Sequence, residues 1–267
     1  MPFEPKDLFN LLPGIITQAR DALAGLRLAE ERLIPPEVRE ADEEADRQAA
    51  VLDQNYCRLL WLTNSLSFLL SLSREAEPHL RDVNLADQVG ELCEQAAGLG
   101  ESMGLEFRFI CARAEVLCAV DWDALECILL HLLSNAFRYT PKGGLVTVEL
   151  RAAGQRILLS VQDSGPGIPE EQRDSIFLIP DTPAGYPPFH GAGLGLPLCS
   201  CLARRQGAAL LLDAPSKGRG ARFTLSLPAR TTGELSASLW DFSSGMNHVL
   251  LGLSDVLPAE AFRIRNR

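Results

Sequence analysis

The chain has 267 residues, 46% of them hydrophobic, and a net charge of −10. This length holds one large domain or two small ones, and the apolar share excludes a disordered chain. The acidic balance excludes a general nucleic-acid or anionic-membrane binder, since both need a basic surface, but a folded domain can still hide a basic pocket for a phosphate ligand.

Residues 5–32 carry Leu8, Leu11, Leu12, Ile15, Ile16, Ala19, Leu23 and Leu26 at helical spacing, which predicts a first helix. Pro35 and Pro36 break it. A second helix is expected over 37–74. Its first half is polar (Glu37, Arg39, Glu40, Asp42, Glu43, Glu44, Asp46, Arg47) and reads as a solvated face; its second half is leucine-rich. Two amphipathic helices joined by a short turn form a hairpin, which buries both stripes by pairing with a second copy into a four-helix bundle. Residues 74–83 read as a linker. Beyond it, helices and strands alternate. A helix capped by Asn84 runs to about 102, followed by strands over 105–112 and 117–120. A helix opened by Asp121 or Asp123 runs to Tyr139. Strands follow over 145–151 and 157–163, then a helix over 193–206 and strands over 208–213 and 221–227. The mixture predicts an α/β sandwich. The tail from 229 to 267 holds one apolar stretch, Val249 to Leu257, expected to pack on the domain. The divisions are thus a helical hairpin over 1–75, an α/β domain over 84–228 and an extension over 229–267.

No apolar run approaches the about 20 residues that span a bilayer. The first nine residues lack the features of an export signal, so the expected location is the cytoplasm. The seven cysteines are odd in number and irregularly spaced, as expected of reduced, mostly buried thiols. Cys199 and Cys201 point in different directions on a helix, which is poor metal geometry.

Three clusters carry chemistry. On one helix, His131, Asn135, Arg138 and Tyr139 lie three or four residues apart and share a face, where an amide carbonyl, a cation and an aromatic ring can hold a metal-bound triphosphate. At the end of a strand comes Asp163-Ser-Gly165-Pro-Gly167. Its glycines allow a tight turn and close ligand approach, and its acid can accept a hydrogen bond from an amino group such as adenine's. Gly191-Ala-Gly193-Leu-Gly195-Leu196 opens a helix, and backbone donors there favour phosphate. Each cluster alone is weak, and the ordered set is specific. The spacing of the last cluster is not that of a dinucleotide-binding fingerprint, and no lysine follows a glycine run as in a P-loop.

In this order the motifs resemble the catalytic and ATP-binding domain of sensor histidine kinases, within the superfamily that also holds gyrase, MutL and the large heat-shock chaperone. The resemblance covers about residues 84–228 and extends loosely over the hairpin. The segment Leu132 to Pro141 is similar to the N box, Asp163-x-Gly165-x-Gly167 to the G1 box, Phe177 to the F box, and Gly191-x-Gly193-Leu-Gly195-Leu196 to the G2 box. The resemblance implies a two-layer α/β sandwich of the Bergerat type and ATP with Mg2+ as ligands. It implies that Asn135 coordinates the magnesium, that Arg138 and Tyr139 reach the nucleotide, and that Asp163 reads the adenine amino group. It also implies that residues 178–192 form an ATP lid.

The sequence departs from the family pattern in three places. Histidine kinases phosphorylate a histidine in the first hairpin helix, but the four histidines here are His79, His131, His190 and His248. With Pro13 at the motif's proline, Leu8 falls where the acceptor stands, and leucine has no nucleophilic atom. His131 replaces the asparagine usual in kinase relatives; it reads as a polar residue lining the pocket, with a role as general base the weaker alternative. The lid has no lysine or arginine, and His190 is its sole potential cation. The first reading is therefore an ATP-binding signalling protein that cannot autophosphorylate on the hairpin. A second is a kinase acting in trans on a partner's histidine or serine. A third is a nucleotide-free dimeric scaffold that recruits a response regulator or another signalling protein.

Overall fold

A computed structural model describes residues 5–73, 77–178, 195–213, 220–233 and 247–264, with side chains described from residue 11 onward. In chain order the elements are α1 (Pro5–Leu33), α2 (Pro36–Ala41), α3 (Glu43–Ser73), β1 (Arg81–Asn84), α4 (Leu85–Ser102), β2 (Glu106–Cys111), β3 (Leu117–Val120), α5 (Trp122–Tyr139), β4 (Leu145–Ala153), β5 (Arg156–Gln162), α6 (Gly195–Arg205), β6 (Ala209–Leu212), β7 (Arg222–Pro228) and α7 (His248–Gly252). Short 3-10 turns cover Glu170–Gln172 and Ala259–Phe262. These elements form two compact units, one helical and one α/β.

In the helical unit α1 packs antiparallel along α3. Arg20 donates to Asn64 Oδ1 at 2.9 Å and to Ser67 Oγ at 3.0 Å, and Arg27 pairs with Asp53 nearer the turn. Ile16 and Leu23 are buried in the contact, whereas Leu11, Ile15, Leu26 and Leu33 of α1 and Leu52, Leu59 and Leu62 of α3 stay exposed. The single helix expected over 37–74 is two helices. Asp42 takes an extended conformation (φ −121°, ψ 111°), ends α2, and caps α3 by accepting from Glu44 N at 2.9 Å. Aspartate favours this role because its short carboxylate competes with the helical backbone bond.

The polar first half of the predicted second helix is mostly solvated, as expected, with Arg39 and Asp46 the buried exceptions. Arg39 is buried and donates to Asp46 at 3.2 Å and to Asp53 at 2.8 Å; both acids are buried as well. Glu30 joins at 3.9 Å from Arg39. Burial, and then the neighbouring Asp53 carboxylate, push the Glu30 carboxyl above its ordinary range. The C-terminal residues 247–264 belong to this helical unit and not to the α/β domain on which the tail was expected to pack; α7 and the Ala259–Phe262 turn lie on α3.

In the α/β unit five strands run in the order β2-β4-β5-β7-β6, with β2 and β4 parallel and the other pairs antiparallel. Alternation sets the two faces. Val146, Val148, Leu150, Ile157, Leu159, Val161, Phe223, Leu225 and Leu227 are buried on one face, and Leu125, Ile128, Leu129 and Leu133 of α5 are buried with them. Phe137 meets Phe107 edge-to-face at 6.1 Å. The opposite face is polar, where Arg222 bonds Glu149, Asp213 and Ser160. This is the two-layer α/β sandwich expected from the sequence, after a helical region. Residues 81–84, read as linker, form β1 instead and pair with β3 from Arg81↔Val120 to Asn84↔Leu117. Asn84 and Asp121 cap α4 and α5. No helix among the described residues is long and apolar enough to cross a membrane. None of the seven cysteines forms a disulfide, and five of them are buried.

Candidate nucleotide site

The site is organised around α5. Its C-terminal end abuts the Asp163 loop: a Cβ added to Gly165 would lie 2.5 Å from Tyr139 O, so this approach requires glycine. Nearer the middle of α5, a Cβ on Gly195 sits 3.2 Å from His131 Nδ1, which brings the start of α6 beside His131. Asn135, one helical turn after His131, and Arg138 are half-buried, and Tyr139 is 54% exposed. Of the three clusters, the Asp163 loop and, at the start of α6, Gly195 thus meet α5.

Asp163 is buried, and both its oxygens are held by backbone donors. Gly165 N donates to Oδ1 at 2.8 Å and Ala221 N to Oδ2 at 3.2 Å. Burial pushes its carboxyl above the ordinary carboxylate range, with the two amide bonds pulling the other way. Each oxygen keeps a free lone pair, so the residue can accept from an amino group while staying fixed. Two further residues, Gly220 and Gly144, absent from the motif reading, complete this corner. Gly220 has φ +115°, and a Cβ there would lie 2.0 Å from Asp163 O; the pair Gly218 and Gly220 just ahead of β7 is the sequence signal that could have found it. Gly144 would clash with Thr140 and Ser164 if it bore a side chain, and Ser164 Oγ accepts from Leu145 N at 2.8 Å, tying the loop to β4. Gly167 has φ +79° and passes Gly220 O closely.

Phe177 packs edge-to-face on Phe223 of β7, with centroids 6.2 Å apart, anchoring the end of the segment before residue 179. Leu196 is half-buried in the first turn of α6. Gly191, Gly193, His190 and all of the expected lid over 178–192 except Leu178 lie outside the described residues. Among the described residues no group of His, Cys, Asp and Glu side chains could hold a metal on its own. A cation here would therefore rely on an amide carbonyl and on the ligand's phosphates.

A glycine cradle closed around a fixed buried acid, facing a helix that bears Asn135, defines an ATP-binding sandwich. A family model described as histidine kinase-, DNA gyrase B-, and HSP90-like ATPase matches residues 120–231. The adaptive-response sensory kinase SasA of Synechococcus sp. (strain JA-2-3B'a(2-13)) is 28% identical over 224 residues, which are 82% of this chain and 59% of that relative. The alginate biosynthesis sensor protein KinB of Pseudomonas aeruginosa is 30% identical over 217 residues, 79% of this chain and 35% of that one. Full-length ShkA, solved in complex with AMPPNP, superposes with a TM-score of 0.62 at 26% identity, over 85% of this chain and 46% of that chain. The Acinetobacter baumannii histidine kinase AdeS shares the fold at a TM-score of 0.52 and 18% identity, over 80% of this chain and 96% of its own. The α/β unit thus carries a catalytic domain of the histidine kinase family. It spans 59% and 35% of the lengths of the two curated relatives described.

Proposed function

We propose that this chain is a histidine-kinase-like ATP-binding signalling protein that does not phosphorylate a histidine of its own hairpin. The observation that carries the reading is the pairing of a retained nucleotide cradle around Asp163 with hairpin helices, α1 and α3, that contain no histidine. Asp163 accepts from the adenine amino group, and Gly165, Gly167 and Gly220 leave room for the base. Asn135 holds Mg2+ through its amide oxygen, with Arg138 and Tyr139 reaching the nucleotide. Gly191, Gly193, Gly195 and Leu196 place backbone donors against the phosphates. Magnesium, when bound, neutralises the triphosphate charge. His131 lines the pocket beside Gly195 and becomes the candidate base only if ATP is turned over.

Signalling then proceeds through shape: ATP favours the conformation that binds it, and a partner such as a response regulator reads that conformation. The exposed stripe Leu11, Ile15, Leu26 and Leu33, together with Leu52, Leu59 and Leu62, suits a homodimer in which a second copy covers it. The expected location is the cytoplasm. Incubation with γ-labelled ATP, followed by mapping of label onto peptides of 5–73, tests the proposal. The expected result is no acid-labile phosphate on any hairpin peptide, and stoichiometric label there contradicts it.

A further inference from the structure

Residues 247–264 are held on α2 and α3 by polar contacts to the backbone of the segment and by its buried apolar side chains. Gln54 Nε2 donates to Leu257 O at 2.6 Å and to Ser254 O at 3.5 Å. Arg58 Nε donates to Ser254 O at 3.0 Å, and Arg39 Nη2 to Phe262 O at 3.1 Å. In the other direction Asp46 Oδ1 accepts from Ile264 N at 3.1 Å and Oδ2 from Arg263 Nε at 2.9 Å, with Arg263 also 3.4 Å from Glu43. Val249, Leu251, Leu253, Leu257 and Phe262 of the segment are all buried, and Arg263 pairs with the acidic residues. Helical spacing puts Asp46, Ala50, Gln54 and Arg58 on one flank of α3, while the exposed Leu52 and Leu59 lie on the other side.

Connectivity gives this arrangement a consequence. The chain leaves the helical unit after residue 73, builds the α/β unit, and returns to the helical unit at residue 247. The α/β unit is thus an insertion, joined to the helical unit at both ends while the C-terminal segment is docked and at one end when it is not. The segment has few turns of its own: α7 has five residues and the 3-10 turn four. Such short elements open locally at lower cost than a 31-residue helix.

We propose that residues 247–264 are a detachable strap, a conformational device whose docking on α2 and α3 closes the α/β unit into a doubly tethered insertion and whose release leaves it on a single connection. Side chains of α2 and α3 read carbonyls along the strap and one amide at its end, while its buried apolar residues, Phe262 among them, and the Arg263 ion pairs complete the contact. The proposal does not depend on nucleotide and can fail while the ATP reading stands, or hold if that reading fails.

Hydrogen–deuterium exchange of the full chain without nucleotide tests it. The amides of Leu253 and Leu257, bonded to Val249 O and Leu253 O, should exchange at least about tenfold faster than those in the middle of α3, through an opening that leaves the hairpin intact. Phe262→Ala should widen that gap by about another tenfold, and a fluorescent synthetic peptide of residues 247–264 should then bind the variant saturably and the unaltered chain weakly. Should Phe262→Ala loosen α3 as well, Arg263→Ala, which keeps the apolar anchor, reads the same quantity. Equal exchange of the strap and α3 in the unaltered chain and in Arg263→Ala would overturn the proposal, because the segment would then be an inseparable part of the hairpin core.

Discussion

Asp163 is where one buried side chain joins the fold to the proposed recognition of adenine. Its two oxygens are fixed by Gly165 N and Ala221 N, and burial holds its pKa above the usual carboxylate value. Because the folded-state pKa is raised, this group favours the folded state most below its unfolded pKa, and that contribution is lost as pH rises through the folded value. Recognition of an amino group runs the other way, since it needs the ionised acceptor. The affinity for Mg-ATP should therefore be full at neutral pH and fall as pH drops through a value above the ordinary carboxylate range. Fluorescence titrations between about pH 4 and pH 7 check this; a flat profile would mean that Asp163 does not face the base. Asp163, Gly165 and Gly167 were legible in the sequence because acid and glycines are adjacent. Gly220 was less so: the nearby Gly218 hints at a turn, but the role of Gly220 is set by backbone packing against a residue 57 positions earlier.

At the scale of elements, α4 and α5 were legible to within a residue, since Asn84 and Asp121 are caps whose side chains accept from the first turn. The division of 36–73 into α2 and α3 was less so. Charged residues at helical spacing look the same whether they face water or one another, and the partner that marks Asp46 as buried, Arg263, lies 217 residues away. For Asp46 burial raises the carboxyl, but the bonds from Arg263, Ile264 N and Arg39 outweigh it and leave the pKa lowered. Its contribution to stability is present above the unfolded pKa and is lost as pH falls through the folded value. Arg39 is the hub, pairing with Asp46 and Asp53 and bonding Phe262 O. Its removal takes one of two cationic partners from each buried carboxylate, leaving Arg27 on Asp53 and Arg263 on Asp46, so Arg39→Ala should cost about 1.5–3 kcal/mol. Urea unfolding followed by the helical signal measures this, and a loss below about 1 kcal/mol would show the network to be solvated.

At the scale of the molecule, the sheet order, the helical face and the meeting of the Asp163 loop and Gly195 with α5 make the α/β unit an ATP-binding sandwich of the histidine kinase family. The alternating pattern of its strands made this much readable from sequence. The placement of 247–264 was not, because an apolar stretch records that it must be buried and not against what. The central claim is that the cradle binds nucleotide while the hairpin offers no acceptor. Calorimetric titration of Mg-ATP into the unaltered chain and into Asp163→Asn tests it most directly. The account predicts saturable heat without continuing turnover for the unaltered chain, and an affinity weaker by at least about tenfold for the variant, the loss expected for a hydrogen bond to a charged group. Absence of heat from the unaltered chain at two temperatures, or equal affinity in both proteins, would contradict it.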